Sequence, residues 1–177
     1  MRVSSPSPTP SVRAQCNPGR LGFDHVRFVS MEVCVFDPNL DRSKPEWWLQ
    51  RQKDRLPGLI GVTPVEFGEG FAAARLEIRP ELWAPNGFLH AATIVALADT
   101  LCGYGCVANL PEGASGFTTV ETKTNHLGTA TEGSLIARAT LVHGGRTTQV
   151  WDAPVVHEQT GKTIALFRCT QMVLWPR

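Results

Sequence analysis

The chain has 177 residues, 42% of them apolar and 19% charged, with a formal net charge of +1. This suits one ordinary domain with a buried core. The near-neutral balance and the lack of any Lys/Arg run argue against a nucleic-acid partner.

Thirteen prolines and sixteen glycines imply many turns and few long helices. The five cysteines are Cys16, Cys34, Cys102, Cys106 and Cys169, an odd number with no Cys-x-x-Cys pair. That pattern suits reduced thiols in a cytoplasmic protein better than a disulfide framework. Cys102 and Cys106 would share a helix face, but no His or Cys follows at ligand spacing, so no metal is expected and both read as small buried thiols.

Residues 1 to about 40 open with Ser/Pro-rich sequence and no apolar signal-peptide core. Such a segment cannot bury enough surface to order itself and reads as mostly disordered tail, with Met31 as an alternative start. A single domain is expected over 41–177. Ser43-Lys44-Pro45-Glu46 has capping-box spacing and would open a short amphipathic helix over 44–56, anchored by Trp47 and Trp48 and ended by Pro57-Gly58. Two extended runs, Leu59–Phe67 and Phe71–Arg79, flank a Gly68-Glu69-Gly70 turn. Pro80–Gly87 reads as a loop.

Leu89–Leu110 is the dominant apolar stretch and predicts a buried central helix over about 88–109, closed by Pro111-Glu112-Gly113. It is long enough to span a membrane. However, Asp99 in its middle costs about 2.5–3.5 kcal/mol on insertion scales, so no membrane partner is expected.

The remainder is strand-like. Gly116–Leu127 alternates Val120, Thr122 and Thr124 against Glu121, Lys123 and Asn125, the period of a sheet with two unlike faces. Leu135–His143 and Arg146–His157 are joined through Gly144-Gly145, read as a two-residue hairpin turn. Glu158–Gly161 makes a second turn before Thr163–Trp175. One apolar helix among antiparallel strands predicts an α+β fold: a curved antiparallel sheet wrapped around the central helix.

Between Leu82 and Pro111, Asp99 is the only formally charged side chain. An isolated carboxylate there is costly unless paired or placed at a wet cleft. Burial should raise its pKa, which suits a general base or nucleophile; a structural hydrogen bond to a neighbouring loop is the plain alternative. His90 precedes it by nine residues, about 13.5 Å of rise and two and a half turns. The two therefore face opposite sides, and action on one substrate requires two subunits. Backbone amides at Leu89–Ala92 can hold an oxyanion. His126 is a weaker candidate for the pocket wall, and His143 reads as solvated.

The string Asn86-Gly87-Phe88-Leu89-His90-Ala91-Ala92, followed by Leu97-Ala98-Asp99-Thr100, resembles the active-site motif of the PaaI-like hotdog-fold acyl-CoA thioesterases. Val120–Asn125 is similar to that family's next strand, and Gly145-Arg146-Thr147 to its Gly-Arg-Thr turn. The resemblance covers roughly 58–175. It implies a hotdog fold, a homodimer or homotetramer, and hydrolysis of an acyl-CoA. Trp83, Phe88 and Leu89 near the motif suggest an apolar or aryl pocket, which an aryl or phenylacetyl type of acyl group and several aliphatic ones would fit equally. No cofactor is implied, since the CoA thioester is the substrate.

The resemblance places Asp99 as nucleophile or general base, the Ala91 amide as oxyanion donor and His90 near the thioester. Thr100 is a candidate for orienting water. Asn86, Gly87, Gly145, Arg146 and Thr147 are expected to contact substrate or CoA, Arg suiting phosphate.

Three departures stand out: Ala91-Ala92 replaces Gly-Gly, Gly103 stands where some relatives hold Ser or Thr, and Gly128-Thr129 replaces Arg-Pro. A non-catalytic acyl-CoA-binding protein is the alternative that the first departure raises. A hotdog hydratase or dehydratase is another, although it needs an acid and a His close together.

Overall fold

The computed structural model describes residues 41–176. The expected tail, Cys16, Cys34 and the alternative start at Met31 lie outside these residues. The elements are α1 (Pro45–Gln52), α2 (Leu56–Ile60), β1 (Val62–Gly68), β2 (Phe71–Glu77), α3 (Ala91–Ala108), β3 (Gly116–His126), β4 (Ser134–Gly144), β5 (Thr148–Asp152), β6 (Val155–His157) and β7 (Thr163–Leu174). A 3-10 turn at Pro80–Leu82 interrupts the expected loop.

The strands form one antiparallel sheet in the order β1-β2-β4-β5-β7-β3, with β6 beside β4 and β7. α3 packs against β2, β3, β4 and β7, so the sheet wraps the helix. Small side chains let it approach: Ala72 pairs with Ala139 and Ala74 with Ala137, all fully buried on the inner face. Leu97 and Leu101 fill the space between, each with 0% exposure. The apolar length that satisfies a membrane span is thus used as a core helix, with its Leu and Ile side chains against the sheet.

Several boundaries move. The capping box does not form: the N-cap of α1 is Lys44, and Ser43 donates through its amide and hydroxyl to Asp41 instead. Pro57-Gly58 does not end the helical region but lies within α2, since Pro is tolerated in a first turn. α3 begins three residues later than expected, because Leu89 bridges Trp83 and the chain is still extended at His90.

The run 146–157 is two strands, broken at Ala153-Pro154, where Pro cannot donate to the ladder. The turn before β5 spans Gly145–Thr147 and is closed by the Gly145 amide to the Thr148 carbonyl at 2.8 Å, so it is not a two-residue turn. β3 is an edge strand, and from Thr118 to Lys123 both of its faces are exposed, so its alternation does not separate a wet from a dry side.

Candidate active site

The chain enters α3 through a tight turn. The Gly87 amide donates to the Ala84 carbonyl at 2.9 Å, and Gly87 has φ +82°, which a residue with a Cβ adopts at a cost. Asn86 Oδ1 accepts the Phe88 amide at 3.3 Å. Gly87 therefore acts through the backbone, and Asn86 both shapes the turn and lines the cleft beside it.

His90 is the N-cap of α3. Its Nδ1 accepts the Ala92 amide at 3.0 Å, and its carbonyl accepts the Thr93 amide at 2.9 Å. The Ala91 amide has no hydrogen-bond partner among the described residues. It opens into a cleft of about 420 Å³ whose walls include Phe88, Leu89, His90, Ile94 and His126. Among the described residues, no carboxylate lines this cleft. A free amide at the positive end of a helix, in an apolar cleft, is suited to binding an oxygen that gains negative charge.

Asp99 sits two and a half turns further on. It is half-buried, and its Oδ1 is fully buried without a hydrogen-bond partner among the described residues. Burial pushes its pKa above the ordinary carboxylate value. It also bears electrostatically on the thiols of Cys102, one turn along, and Cys169, which lies opposite Thr122 of β3. Asp99 thus faces the β7–β3 end of the sheet and is not among the walls of the His90 cleft. Among the described residues, Oδ1 makes no structural hydrogen bond to a loop, the plain alternative.

Thr100 is half-buried beside Asp99. Gly103 has its side-chain space filled: a Cβ there would lie 3.1 Å from Phe117 Cζ of β3.

The remaining candidates lie elsewhere. Gly145 and Arg146 line a second cleft of about 680 Å³ with Asn109, the C-cap of α3. They are therefore at the opposite end of the helix from His90, with Thr147 beside them. Arg146 is engaged at that turn: its guanidinium lies 4.9 Å over the Trp175 ring, and its carbonyl accepts the Trp175 Nε1–H at 3.0 Å. One chain brings Asn86, Gly87, His90 and Ala91 together. It does not bring them to Asp99, Thr100 or the Gly145–Thr147 turn.

The model of the Thioesterase superfamily matches residues 86–164, a span that contains both halves of this arrangement. The 1,4-dihydroxy-2-naphthoyl-CoA hydrolase of Listeria monocytogenes is 32% identical over 111 residues, 63% of this chain and 89% of that relative. The chain belongs to the thioesterase superfamily.

This thioesterase is also 29% identical to the acyl-coenzyme A thioesterase PaaI of Escherichia coli, over 66% of its own length and 81% of that relative. A crystal structure of a thioesterase from Haemophilus influenzae matches it with TM-score 0.69 at 28% identity, covering 74% of this chain and 90% of the other. The fold is the hotdog fold and the protein is a thioester hydrolase of the PaaI-like kind.

Phe117, Cys169 and Lys162 carry no motif that marks them in the sequence. Phe117 answers the missing side chain at Gly103. Cys169 looks like an ordinary inward strand residue until the register places it opposite the edge strand. Lys162 carries no local signal and lies in a polar turn.

Proposed function

We propose that this protein hydrolyses an acyl-CoA to the free acid and CoA at sites shared between two copies of the chain. Asn86, Gly87, His90 and Ala91 of one copy receive the thioester carbonyl. Asp99 of the other supplies the carboxylate, with Thr100 beside it to orient water. The observation that carries this reading is the division of the machinery. The free Ala91 amide and the unpartnered Asp99 carboxyl are complementary functions on one helix, held too far apart to serve one substrate within a chain.

In this scheme the carbonyl oxygen accepts the Ala91 N–H. Because His90 Nδ1 is occupied as an acceptor, the neutral ring carries its proton on Nε2 and is a donor toward the cleft. Asp99 takes a proton from water, and the hydroxide adds to the carbonyl carbon. As the intermediate collapses, the C–S bond breaks and the proton on Asp99 passes to the thiolate, giving acid and thiol with Asp99 ionised again. The raised proton affinity of Asp99 favours this base role over direct attack. Direct attack would instead form an anhydride on Asp99 that water then opens.

The assembly is proposed as a homodimer through β3. That strand offers an eleven-residue edge without Pro, with Val120 62% exposed, and Asp99 lies toward that side of the helix. A long open edge of this kind is a template for a second strand. Pairing of dimers into a tetramer, with Gly145, Arg146 and Thr147 reaching CoA from a further subunit, belongs to the same proposal. Phe88, Leu89 and Ile94 favour an aryl or other apolar acyl group.

A non-catalytic acyl-CoA binder is the second reading, favoured by the exposed methyl group of Ala91 in the cleft. Thiol release from a panel of acyl-CoAs tests both, with wild type, Asp99→Ala and Asp99→Asn. The hydrolase reading requires release that the variants lose; unchanged release by the variants refutes the role of Asp99. Tight binding without release by wild type establishes the binder.

A further inference from the structure

Asp99, Cys102 and Cys106 stand at positions i, i+3 and i+7 of α3 and so share one stripe of the helix. The stripe faces β7, where Cys169 points inward from the sheet. Asp99 is half-buried at the margin of this contact, and the three thiols are buried and free. The proposed hydrolysis leaves them without a task.

Two of the thiols touch. The Cys102 S–H donates to Cys169 Sγ across the gap between α3 and β7. The same sulfur accepts the Gln171 Nε2–H at 3.3 Å, and Gln171 Oε1 accepts the Thr119 hydroxyl at 2.9 Å. Gln171 is fully buried, so its amide is fixed with a donor aimed at Cys169.

The bond from Cys102, with that from Gln171, holds the Cys169 thiol below its usual value. The same Cys102–Cys169 bond, with burial, pushes Cys102 well above it. Cys169 is thus the partner that more readily becomes the nucleophilic thiolate, with Cys102 in reach of it. Cys106 lies one turn further along the stripe, and burial pushes its thiol up to about 12.

We propose that Cys102 and Cys169 form a reversible disulfide that pins α3 to β7 and switches the Asp99 site off in the presence of peroxide. The crosslink stands on the thiol pair alone; its effect on turnover rests on the hydrolase reading.

In the first step the Cys169 thiolate attacks one peroxide oxygen. The O–O bond breaks, giving a sulfenic acid on Cys169 and hydroxide, which takes up the proton that Cys169 released. Cys102 then attacks the sulfenyl sulfur, the S–O bond breaks, and the departing hydroxide takes the Cys102 proton. Two thiols and one hydrogen peroxide become one disulfide and two waters. The oxidant must be water-sized, because Cys102 is 0% exposed and Cys169 1%.

Closure draws the two sulfurs from hydrogen-bond contact to the ~2.05 Å of a disulfide. The helix turn next to Asp99 therefore shifts by on the order of 1 Å, a misplacement that costs about 10²-fold in rate in a well-aligned site.

The test treats the reduced, full-length protein with hydrogen peroxide and stops the reaction with catalase. Peptide mass mapping then locates disulfides, and hydrolysis of the acyl-CoA panel, benzoyl-CoA included, measures activity. A linked Cys102–Cys169 peptide is expected, with kcat lowered on the order of tenfold or more at unchanged KM. Dithiothreitol should reverse both. Cys102→Ala and Cys169→Ala should keep their activity after peroxide, whereas Cys106→Ala should lose it as wild type does.

Oxidation without this linked peptide, pairing of either thiol with another cysteine, or a Cys102–Cys169 bridge that leaves kcat unchanged overturns the proposal. So does a peroxide loss that Cys102→Ala and Cys169→Ala share with wild type. The mapping on wild type decides even where an alanine variant fails to fold. Bridge formation in a protein that cleaves no member of the panel supports the crosslink and defeats the hydrolase reading.

Discussion

His90 Nδ1 accepts the amide of Ala92 at 3.0 Å, so a single imidazole both caps the central helix and faces the cleft. The same bond leaves Nε2 as the proton-bearing nitrogen of the neutral ring. Structure and chemistry can therefore be separated at this position. His90→Asn keeps a capping acceptor but loses the Nε2–H, and should lower kcat with little change in thermal midpoint. His90→Ala should lose both, and the lost cap costs about 0.5–2 kcal/mol of stability. Equal stability of the two variants would deny the cap.

Asp99 is held at a cost. Its folded-state pKa lies above the ordinary value because burial disfavours the charged form. The folded protein therefore binds more protons than the unfolded chain between the two pKa values, and stability falls as pH rises through that window. Asp99→Asn should be more stable than wild type at neutral pH. The advantage should disappear near and below the unfolded value of about 4. Its kcat should fall about 10²–10⁴-fold, the range for loss of a general base. Denaturant midpoints across pH, paired with thiol release, check both halves.

The acid limb of the kcat/KM profile should follow the same carboxyl. Activity should be lost as pH falls through a value above that of an ordinary aspartate, in the direction that burial dictates. A limb at the ordinary carboxylate value would place the working group elsewhere.

Gly105 is required by its neighbour. A Cβ there would lie 2.9 Å from Cζ3 of Trp151, which is fully buried. Gly105→Ala gains up to about 1 kcal/mol of helix propensity. It should nevertheless destabilise, because overpacking a filled core costs about 1–3 kcal/mol. Chemical denaturation gives the sign.

The central helix and the wrapped sheet were legible because one unbroken apolar run with a single charge has few other uses. The separation of His90 and Asp99 within one chain was legible too, from the nine residues between them. The start of α3 was not, since Phe88 and Leu89 are as apolar as the helix, and only the Trp83–Leu89 bridge shows them extended. Pro154 marked the break between β5 and β6, but strand-like residues on both sides masked it. The contact between Cys102 and Cys169 was invisible, because it depends on how α3 and β7 are packed together.

The central claim is that one chain's Ala91 end works with another chain's Asp99. Mixing inactive His90→Ala and Asp99→Asn chains, unfolded together and refolded, tests it directly. In a shared site, each mixed dimer holds one wild-type site, so the mixture should recover about a quarter of wild-type activity. If His90 and Asp99 of the same chain acted together, the mixture would stay as inactive as its parents, and that result would contradict the account.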